Sequence, residues 1–552
     1  MMTNRQAEVW RGQVMDVVSG THYPGEIEIK GGAIAAVRRL EGDPSLESGP
    51  YFAPGLVDAH VHIESSLLAP TAFARAAVLG GVLGCVCDPH EIANVLGVEG
   101  VKWMVENGER SPFYFHFGAP SCVPATPFET SGASFDEDTI ADLLDSDGVH
   151  YLAEVMNFPA VIAREPRMMG IIEQARKRNK RIDGHAPGVG GEDIRRYAEA
   201  GVETDHECFT LEQGRDRILS GMQLAIREGS AARNFEALWP LLKEYPEQCF
   251  LCTDDMHPDD LVRGYLNQLL ARGVQKGISA ISLLRAATLN PIRHYQLPMG
   301  LLQEGDPADM VCFEDLEHFR VRHAWIRGEQ VVKEGRPLLD AQSIHPENRF
   351  GADPVSVEAL QSKPLQKTDS FPIIVAHDGE LYTDRIDEPA PVEDHAIAAS
   401  PDRDLLKLCV VNRYNKAPPS VGLVRGFGLK SGALAGSVAH DSHNIVSVAA
   451  DDRALCQAIN RVIELQGGLV YADRNTVESL PLPLAGLMSD RDPWTVAAEF
   501  ERLTTLAKDD GCQMRSPYMT LSFLALLVIP KLKMSDLGLF DGERFEFVYH
   551  VH

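Results

Sequence analysis

Two histidines lie two residues apart in the stretch Asp58-Ala59-His60-Val61-His62, at the end of an apolar run. The run, residues 56–61, follows a Pro-Gly turn and is typical of a strand. Side chains alternate along a strand with a period of two, so both imidazoles face the same side. Two imidazoles on one face at a strand end can bind one metal ion together. The alternative is that both are simply polar residues that line the interior of a barrel.

Four further side chains of metal-binding type stand where other predicted strands end. They are Glu154, His185, His206 and Asp254. Neutral imidazoles and carboxylates are the donors that suit zinc, iron or manganese. Any one of them alone could be a core or supporting residue. Six such residues at five strand ends favour a metal centre.

The elements that must position these residues alternate between strand-like and helix-like segments over residues 54–298. The predicted strands are residues 56–61, 81–87, 113–117, 151–155, 181–184, 202–205, 222–226 and 249–253. Predicted helices between them include residues 70–79, 100–107, 165–178 and 193–200. Eight strands with intervening helices over about 250 residues fit an α/β fold of the (β/α)8 barrel type better than an open doubly wound sheet. In such a barrel the carboxyl ends of the strands meet at the mouth, where active sites lie.

Short strands with glycine turns flank this block on both sides. Gly31-Gly32 before it and Gly328-Glu329 after it lie between alternating segments that predict hairpins. We expect residues 1–53 and 299–345 to form one composite β-sandwich. Residues 346–552 are predicted to form a separate C-terminal α+β domain, with strands and helices at residues 408–412, 445–449, 454–465 and 494–506.

The composition is that of a folded chain with a strongly acidic surface. The 552 residues carry 52 basic and 79 acidic side chains, a formal net charge of −27. Such a surface repels phosphate backbones and anionic lipid, so neither nucleic acid nor a membrane is expected as a partner. A small neutral or cationic substrate remains open.

The ten cysteines are dispersed and suggest no disulfide framework. Cys85, Cys87, Cys249 and Cys252 lie in apolar runs, where cysteine usually serves as a small buried hydrophobic residue. Residues 1–12 contain no apolar segment of a secretory signal, and no apolar stretch is long enough to span a bilayer. We therefore expect a cytoplasmic protein.

Eight short stretches carry a specific family pattern when they are taken together. They are PGLVDAHVHIESS (54–66), CDPHEIANVLG (87–97), FGAPSCVPA (117–125), LAEVMNF (152–158), DGHAPG (183–188), TDHE (204–207), CTDDMHP (252–258) and AHDSHNI (439–445). Over residues 1–345 the chain resembles the amidohydrolase superfamily, and within it most closely the bacterial adenine deaminases. That resemblance extends over nearly the whole chain, and it implies a metal-dependent (β/α)8 barrel.

The resemblance also implies a binuclear metal centre. The more buried ion would be held by His60, His62 and Asp254, and the outer ion by His185 and His206. In many binuclear relatives a carboxylated lysine at the end of strand four bridges the ions. Here Glu154 occupies that position, as in the deaminase subgroup, and its two oxygens can serve as the bridge. The mixed, oxygen-rich donor set makes Mn(II) or Fe(II) more plausible than Zn(II) for the two divalent ions.

The chemistry that this centre implies is attack by a metal-activated hydroxide on C6 of adenine. Asp254 can accept the proton of the water and deliver it to the departing amine. A second proton is needed on a ring nitrogen, and we nominate Glu91 as its donor. Asp88 and His90 lie in the same stretch and either contact substrate or form a helix-capping turn that supports the ligands.

The densest polar cluster of the C-terminal domain lies just before an apolar strand. It consists of His440, Asp441, Ser442, His443 and Asn444. One interpretation is a loop that closes over the pocket or contacts substrate; the other, weighted equally, is a hydrogen-bonded turn. Asp255 and His257 are undecided in the same way between substrate binding and a structural role.

The leading hypothesis is hydrolysis of adenine to hypoxanthine and ammonia for purine salvage. The runner-up is another amidohydrolase that cleaves a cyclic amide or an N-acyl bond with the same hydroxide. The C-terminal domain favours the deaminase, because a generic barrel hydrolase does not require it. A catalytically dead scaffold should have lost metal ligands, and none is missing. An editing deaminase of nucleic acid is excluded by the acidic charge and by the absence of the H-x-E…P-C-x-x-C pattern. The resemblance further implies a homo-oligomer.

Overall fold

The structure, a computed structural model, describes residues 7–40, 44–46, 48–342, 345–346, 348–361, 370–393 and 396–550. Two expectations therefore lie partly outside the described residues: the first half of the amino-terminal segment 1–12, and parts of the predicted domain borders near residues 343–347 and 552. Within the described residues, no helix is long and apolar enough to cross a membrane. All ten cysteines are free thiols.

We number the strands and helices in chain order. The strands are β1 (Glu8–Asp16), β2 (Thr21–Lys30), β3 (Ala33–Arg39), β4 (Tyr51–Pro54), β5 (Leu56–Val61), β6 (Val82–Cys87), β7 (Tyr114–Ala119), β8 (Val149–Val155), β9 (Ile182–Gly184), β10 (Thr204–Asp205), β11 (Gln223–Arg227), β12 (Cys249–Cys252), β13 (Met310–Phe313), β14 (Val321–Ile326), β15 (Glu329–Lys333), β16 (Arg336–Pro337), β17 (Phe371–Ala376), β18 (Thr383–Glu388), β19 (Val392–Glu393), β20 (Ala396–Ile397), β21 (Leu406–Val411), β22 (Ser420–Arg425), β23 (Ala433–Gly436), β24 (Ile445–Ala449), β25 (Gly468–Ala472), β26 (Val477–Pro481), β27 (Leu532–Ser535), β28 (Gly538–Asp541) and β29 (Glu546–His550). The helices are α1 (Pro70–Ala77), α2 (His90–Leu96), α3 (Val98–Gly108), α4 (Glu137–Asp145), α5 (Phe158–Ile162), α6 (Pro166–Lys177), α7 (Gly191–Glu199), α8 (Leu211–Leu219), α9 (Phe235–Leu238), α10 (Leu241–Glu244), α11 (Pro258–Arg263), α12 (Leu266–Gln275), α13 (Ala280–Ala287), α14 (Leu289–Tyr295), α15 (Asp452–Leu465), α16 (Pro493–Asp509) and α17 (Pro517–Phe523).

Eight parallel strands form the centre of the molecule in two sheets. One sheet has the order β5-β6-β7-β8-β9 and the other has the order β10-β11-β12. Each of the eight predicted strands is present within a few residues of its expected bounds. Strands such as β5 and β6 are buried along their whole length, which is why they are continuous apolar runs rather than alternating ones.

Backbone hydrogen bonds join the two parallel sheets at both of their edges. Asp254 N donates to His60 O at 2.9 Å, and His62 N donates to Asp254 O at 3.1 Å. At the other junction, Glu203 N donates to Ile182 O at 2.9 Å. The ends of the strands that carry the predicted metal ligands are therefore held together by the main chain itself.

The strands from the two flanks form one mixed sheet of eight strands. Its order is β16-β15-β14-β13-β4-β1-β2-β3, so β4, from before the central block, lies beside β13, from after it. A small core packs on this sheet, with Val14 and Phe52 from the first flank and Met310 and Trp325 from the second. Both flanks thus contribute to a single layer, although the chain between β4 and β13 runs through all the parallel strands.

The C-terminal region contains a second mixed sheet and a small antiparallel one. The larger has the order β18-β17-β22-β21-β24-β23-β25-β26, and the smaller the order β27-β28-β29. Apolar residues of α15, among them Ile459 and Val462, pack on the large sheet. The four segments predicted here from the sequence correspond to β21, β24, α15 and α16. Proline at the first turn and an Asp492 side chain that accepts from Trp494 N and Thr495 N define the start of α16.

A buried arginine on α8 fixes the ends of β9 and β10. Arg217 Nε donates to Asp205 Oδ2 at 2.7 Å, and its Nη2 donates to Ala186 O at 2.7 Å. Both side chains of this ion pair are fully buried. Two residues earlier, Arg215 pairs with Glu244 at 2.8 Å on the exposed side of the same helix.

Replacement of Arg217 by methionine should destabilise the protein by roughly 3–5 kcal/mol, because it leaves the Asp205 carboxylate buried without its partner. Urea unfolding followed by tryptophan fluorescence measures the change. The matched control is Arg215→Met, which removes only an exposed ion pair and should leave the unfolding midpoint nearly unchanged. Equal effects of the two substitutions would contradict the role assigned to the buried pair.

Candidate active site

Imidazoles from three strands surround the carboxylate of Glu154, which lies near the end of β8. Its Oε1 lies 3.5 Å from Nε2 of His62, which follows β5. Its Oε2 lies 2.9 Å from Nδ1 of His185 and 3.3 Å from Nε2 of His206, which follow β9 and β10. His60 stacks on His206 with ring centroids 4.1 Å apart. The two oxygens of one carboxylate thus face imidazoles of different strands.

Asp254, which follows β12, adds a second carboxylate to this group of imidazoles. Its Oδ1 lies 3.1 Å from Nε2 of His62 and 3.5 Å from Nε2 of His60. Its φ angle of 62° is left-handed, a conformation that costs a residue with a side chain about 1–2 kcal/mol. The backbone hydrogen bonds to His60 and His62 hold it there. Strain of this kind persists where the surrounding structure requires it, and it clusters at functional sites.

The donor set fits a divalent metal. Donor atoms lie within 4.8 Å of one another in the groups His60–His62–Asp254 and His60–Glu154–His206, and all of these residues are buried. Nε2 of His60 and Nε2 of His185 are buried without a hydrogen-bond partner in the described part of the chain. Buried polar atoms are nearly always paired, so such nitrogens indicate that a further partner completes the group.

Electrostatics keeps both carboxylates of the group ionised. Burial alone would raise the pKa of Glu154, but His185 and His206 outweigh it and hold that pKa well below its usual range. For Asp254, burial is likewise outweighed, chiefly by the Arg227 guanidinium, and its pKa is also held well below its usual range. Ionised carboxylates are the form that binds a cation.

Two buried aspartates lie beneath the histidines, each two residues before one of them. Asp58 Oδ2 accepts from Tyr265 Oη at 2.5 Å, and burial raises its pKa to about 6. Asp183 accepts from Tyr295 Oη at 2.8 Å, and burial raises its pKa to about 7. These contacts fix the strand ends from which the histidines project.

Asp88 and His90 form the turn that begins α2. Asp88 Oδ1 accepts from His90 N at 3.1 Å, and Nδ1 of His62 lies 3.2 Å from Asp88 O. His90 also contacts the metal-ligand group, with Nδ1 3.6 Å from Glu154 Oε1. Donor atoms of Asp88 and His90 lie within 4.8 Å of those of His62 and Glu154, and His90 also lines the cavity, so the choice between a supporting and a direct role stays a prediction.

The C-terminal region supplies one wall and the roof of the cavity above Glu154 and Asp254. His440 and Asp441 line it beside Glu91 and Asp255. The apolar roof consists of Leu381, Phe523, Leu526 and Val528. The cavity measures about 30 Å³, which is room for about two water molecules. A larger cavity of about 290 Å³ lies at the opposite ends of the strands, among Phe113, Phe115 and His150, away from the polar group.

Four of the substrate-binding candidates lie outside the cavity lining: Asp88, described above, and His257, Ser442 and His443. His257 packs its ring 4.4 Å from that of Phe500. Ser442 O accepts from Tyr414 Oη at 2.6 Å, which makes Ser442 part of a turn. His443 lies behind Glu91, with its Nε2 in contact with Oε2 of that carboxylate. Asp255, by contrast, lines the cavity, and its Oδ1 accepts from Ser65 Oγ at 2.5 Å.

Sequence reasoning missed Arg227, Glu207 and the roof. Arg227 Nη1 lies 2.6 Å from Glu207 Oε1 and also contacts Asp254 Oδ2. Arg227 is the last residue of β11, so its position one residue beyond a predicted strand was the signal that could have identified it. The roof residues carry no comparable signal, because apolar residues of a distant segment resemble any core.

Comparisons with known proteins show the family to which the chain belongs. The amidohydrolase family model matches residues 51–331, and the model of the adenine deaminase C-terminal domain matches residues 380–546. An adenine deaminase of Salinibacter ruber is 47% identical over 539 residues, which is 97% of this chain and 98% of that protein. Adenine deaminases of Methanosarcina mazei and Methanosarcina barkeri are each 44% identical, over 98% of this chain and 98% and 99% of their own lengths.

Glu154→Gln and His60→Ala should each strip bound divalent metal from the protein. The amide cannot offer two anionic oxygens, and the alanine offers no donor. Metal per chain, measured by mass spectrometry after dialysis, should fall from about two to below one. His318→Ala is the matched control, because the His318 side chain is 57% exposed and its Nδ1 lies 3.4 Å from Asp315, in the segment between β13 and β14. Full metal occupancy in either test variant would remove that residue from the ligand set.

Proposed function

The chain belongs to the amidohydrolase family, and we propose that its activity is the metal-dependent hydrolysis of adenine to hypoxanthine and ammonia. The observation that carries the proposal is the arrangement of four imidazoles around Glu154 and Asp254 in a chain whose full-length relatives are adenine deaminases. Purine salvage is the proposed use of the reaction.

The proposed architecture assigns the sheets described above to three domains. The eight parallel strands form a (β/α)8 catalytic barrel over residues 54–298, and residues 1–53 and 299–345 form a composite β-sandwich. Residues 346–552 form a C-terminal α+β domain. The hydrogen bonds at both sheet junctions, the sheet shared by the two flanks and the limits of the two family matches support this division.

The proposed metal centre takes two ions. His60, His62 and Asp254 would hold one, His185 and His206 would hold the other, and Glu154 would supply a carboxylate oxygen to each. The distances from the two Glu154 oxygens to different imidazoles support the bridge. Mn(II) or Fe(II) is proposed ahead of Zn(II), because two carboxylates share the site with the imidazoles.

Bound divalent ions would lower the pKa of a water molecule toward neutral pH. Asp254 takes a proton from that water as its oxygen bonds to C6 of adenine. Asp254 then gives the proton to the amine at C6, which leaves as ammonia when the C6–N bond breaks. Arg227 contacts Asp254 Oδ2 and so orients the carboxylate with Oδ1 toward His60 and His62, where the ions and the water would lie.

The proposed substrate is a free base. The cavity has polar walls and an apolar roof, which match the polar edge and the apolar faces of a planar heterocycle, and the roof has to move outward to admit one. Cleavage of a cyclic amide or an N-acyl bond is the second candidate, because the same polar group would serve it. A cytoplasmic location and a homo-oligomer stay predictions; the ten free thiols support the first, since reducing compartments disfavour disulfides.

Asp254→Asn should lower kcat for adenine by about 10²–10⁴-fold, since the amide cannot accept the proton, while KM changes little. Steady-state ammonia release and metal per chain should be measured together, so that loss of metal is not mistaken for loss of the base. Asp259→Asn is the control, because Asp259 pairs with Arg263 at 2.9 Å on the surface of α11. Near-normal turnover of Asp254→Asn would remove Asp254 as the proton carrier.

The function itself is tested by ammonia release from free adenine, with protein produced in manganese-supplemented medium low in iron. We expect turnover of at least about one per second, within the ordinary range of enzymes. An inactive protein that binds two metals per chain would contradict adenine as the substrate and favour cyclic amides. An inactive protein that binds no metal would contradict the metal centre as well.

A further inference from the structure

The turn at residues 439–444 places an imidazole of the C-terminal region against Glu91. Nδ1 of His440 lies 2.6 Å from Glu91 Oε1. Because Nδ1 is engaged in this way, Nε2, on the other side of the ring, is the nitrogen left for a partner. The His440 ring lines the cavity above the polar group and packs 5.1 Å from Phe523 of the roof.

Both oxygens of Glu91 face imidazoles. Its Oε2 contacts Nε2 of His443, and His90 approaches Oε1 from α2, with Nε2 3.3 Å away. A carboxylate whose two oxygens each face an imidazole is an acceptor that orients its donors, as in acid–histidine pairs. Glu91, nominated from the sequence as the direct donor to the ring nitrogen, also lines the cavity, so Glu91 and His440 are the two candidates for that proton transfer.

The turn that carries both histidines is held from below by Arg413 and Tyr414. Arg413 is fully buried; its Nη1 donates to His443 O at 3.4 Å, and its N donates to Asn444 Oδ1 at 3.1 Å. Tyr414 Oη donates to Ser442 O at 2.6 Å. A residue placed by so many contacts loses little freedom when substrate binds, as a catalytic group requires.

The groups around His440 favour its charged form. Burial alone would lower its pKa, but the charge of Glu91 raises it, Asp255 and Asp441 add to that effect, and the pKa reaches about 9. Burial raises the pKa of Glu91 less than the surrounding histidines lower it, so Glu91 is the anion of the pair. A histidine that is protonated at neutral pH can act as an acid.

We propose that His440, oriented by Glu91, is the catalytic residue that protonates the ring nitrogen during deamination. The inference rests on the proposed function. As the water oxygen bonds to C6, the π electron pair of C6=N1 moves to N1, which takes the proton from His440 Nε2. When the C6–N bond breaks and ammonia leaves, the hydroxyl on C6 becomes a carbonyl, and the proton it releases restores His440. The two protons of water thus end on N1 of hypoxanthine and on ammonia.

Amide variants separate a proton donor from a residue that only positions Glu91. In His440→Asn the side-chain amide lies near the former Nδ1, so it can still donate to Glu91 but carries no acidic proton. We expect its kcat to fall by about 100-fold, with two metals still bound per chain. His443→Gln retains a donor near the former Nε2, and because His443 does not line the cavity, kcat should fall less than about 5-fold.

If His440→Asn keeps kcat within about 3-fold of the wild type while Glu91→Gln is inactive, the inference is overturned and Glu91 is restored as the donor. Equal losses in His440→Asn and His443→Gln would also overturn it, because they would mark the whole turn as structural. The wild type is assayed alongside. A wild type that releases no ammonia from adenine would contradict the proposed function, whereas an active wild type with an active His440→Asn contradicts only the role of His440.

Discussion

The hydrogen bonds between Asp254 and the end of β5 are the constraint on which the site depends. Asp254 accepts from His62 N and donates to His60 O, so one residue of the last parallel strand is tied to both histidines of the first. Those hydrogen bonds fix Asp254 in a left-handed conformation, with a φ of 62°. The carboxylate therefore faces the two imidazoles before any ligand binds. Its side chain does not have to become ordered on binding.

The hydrogen bonds between Asp254 and the end of β5 bring several buried charged side chains close together. Each of these charges is compensated by a charged or polar partner. Arg227 and the histidines keep Asp254 and Glu154 ionised despite their burial. Arg217 does the same for Asp205 one layer further out. Removing one partner from such a group leaves the other charge buried without compensation, which strongly lowers the stability of the fold. Most of these side chains accordingly contact two or more others.

Residues of the C-terminal region line the candidate active site together with residues that follow the parallel strands. It contributes the apolar roof, and it contributes the imidazoles that contact Glu91. The contacts of Arg413 and Tyr414 show how a segment more than 340 residues away in sequence is placed to within hydrogen-bond distance of α2. The predicted metal ligands come from one set of strand ends, and the cavity above them is completed by a second region of the chain, which includes the predicted cluster at residues 440–443.

The sequence by itself determined the eight parallel strands, their order along the chain and the six candidate metal ligands at their ends. It could do so because strand periodicity is local, and because apolar runs and the polar residues that end them can be read without knowledge of the fold. The runs also located β21, β24, α15 and α16 in the C-terminal region. Sequence patterns could not decide whether His440 contacts substrate or forms a turn. They also could not predict the contacts of Arg227 and Phe523. Those answers depend on which distant residues meet, and only tertiary packing brings His440 to Glu91 and places the roof over Glu154.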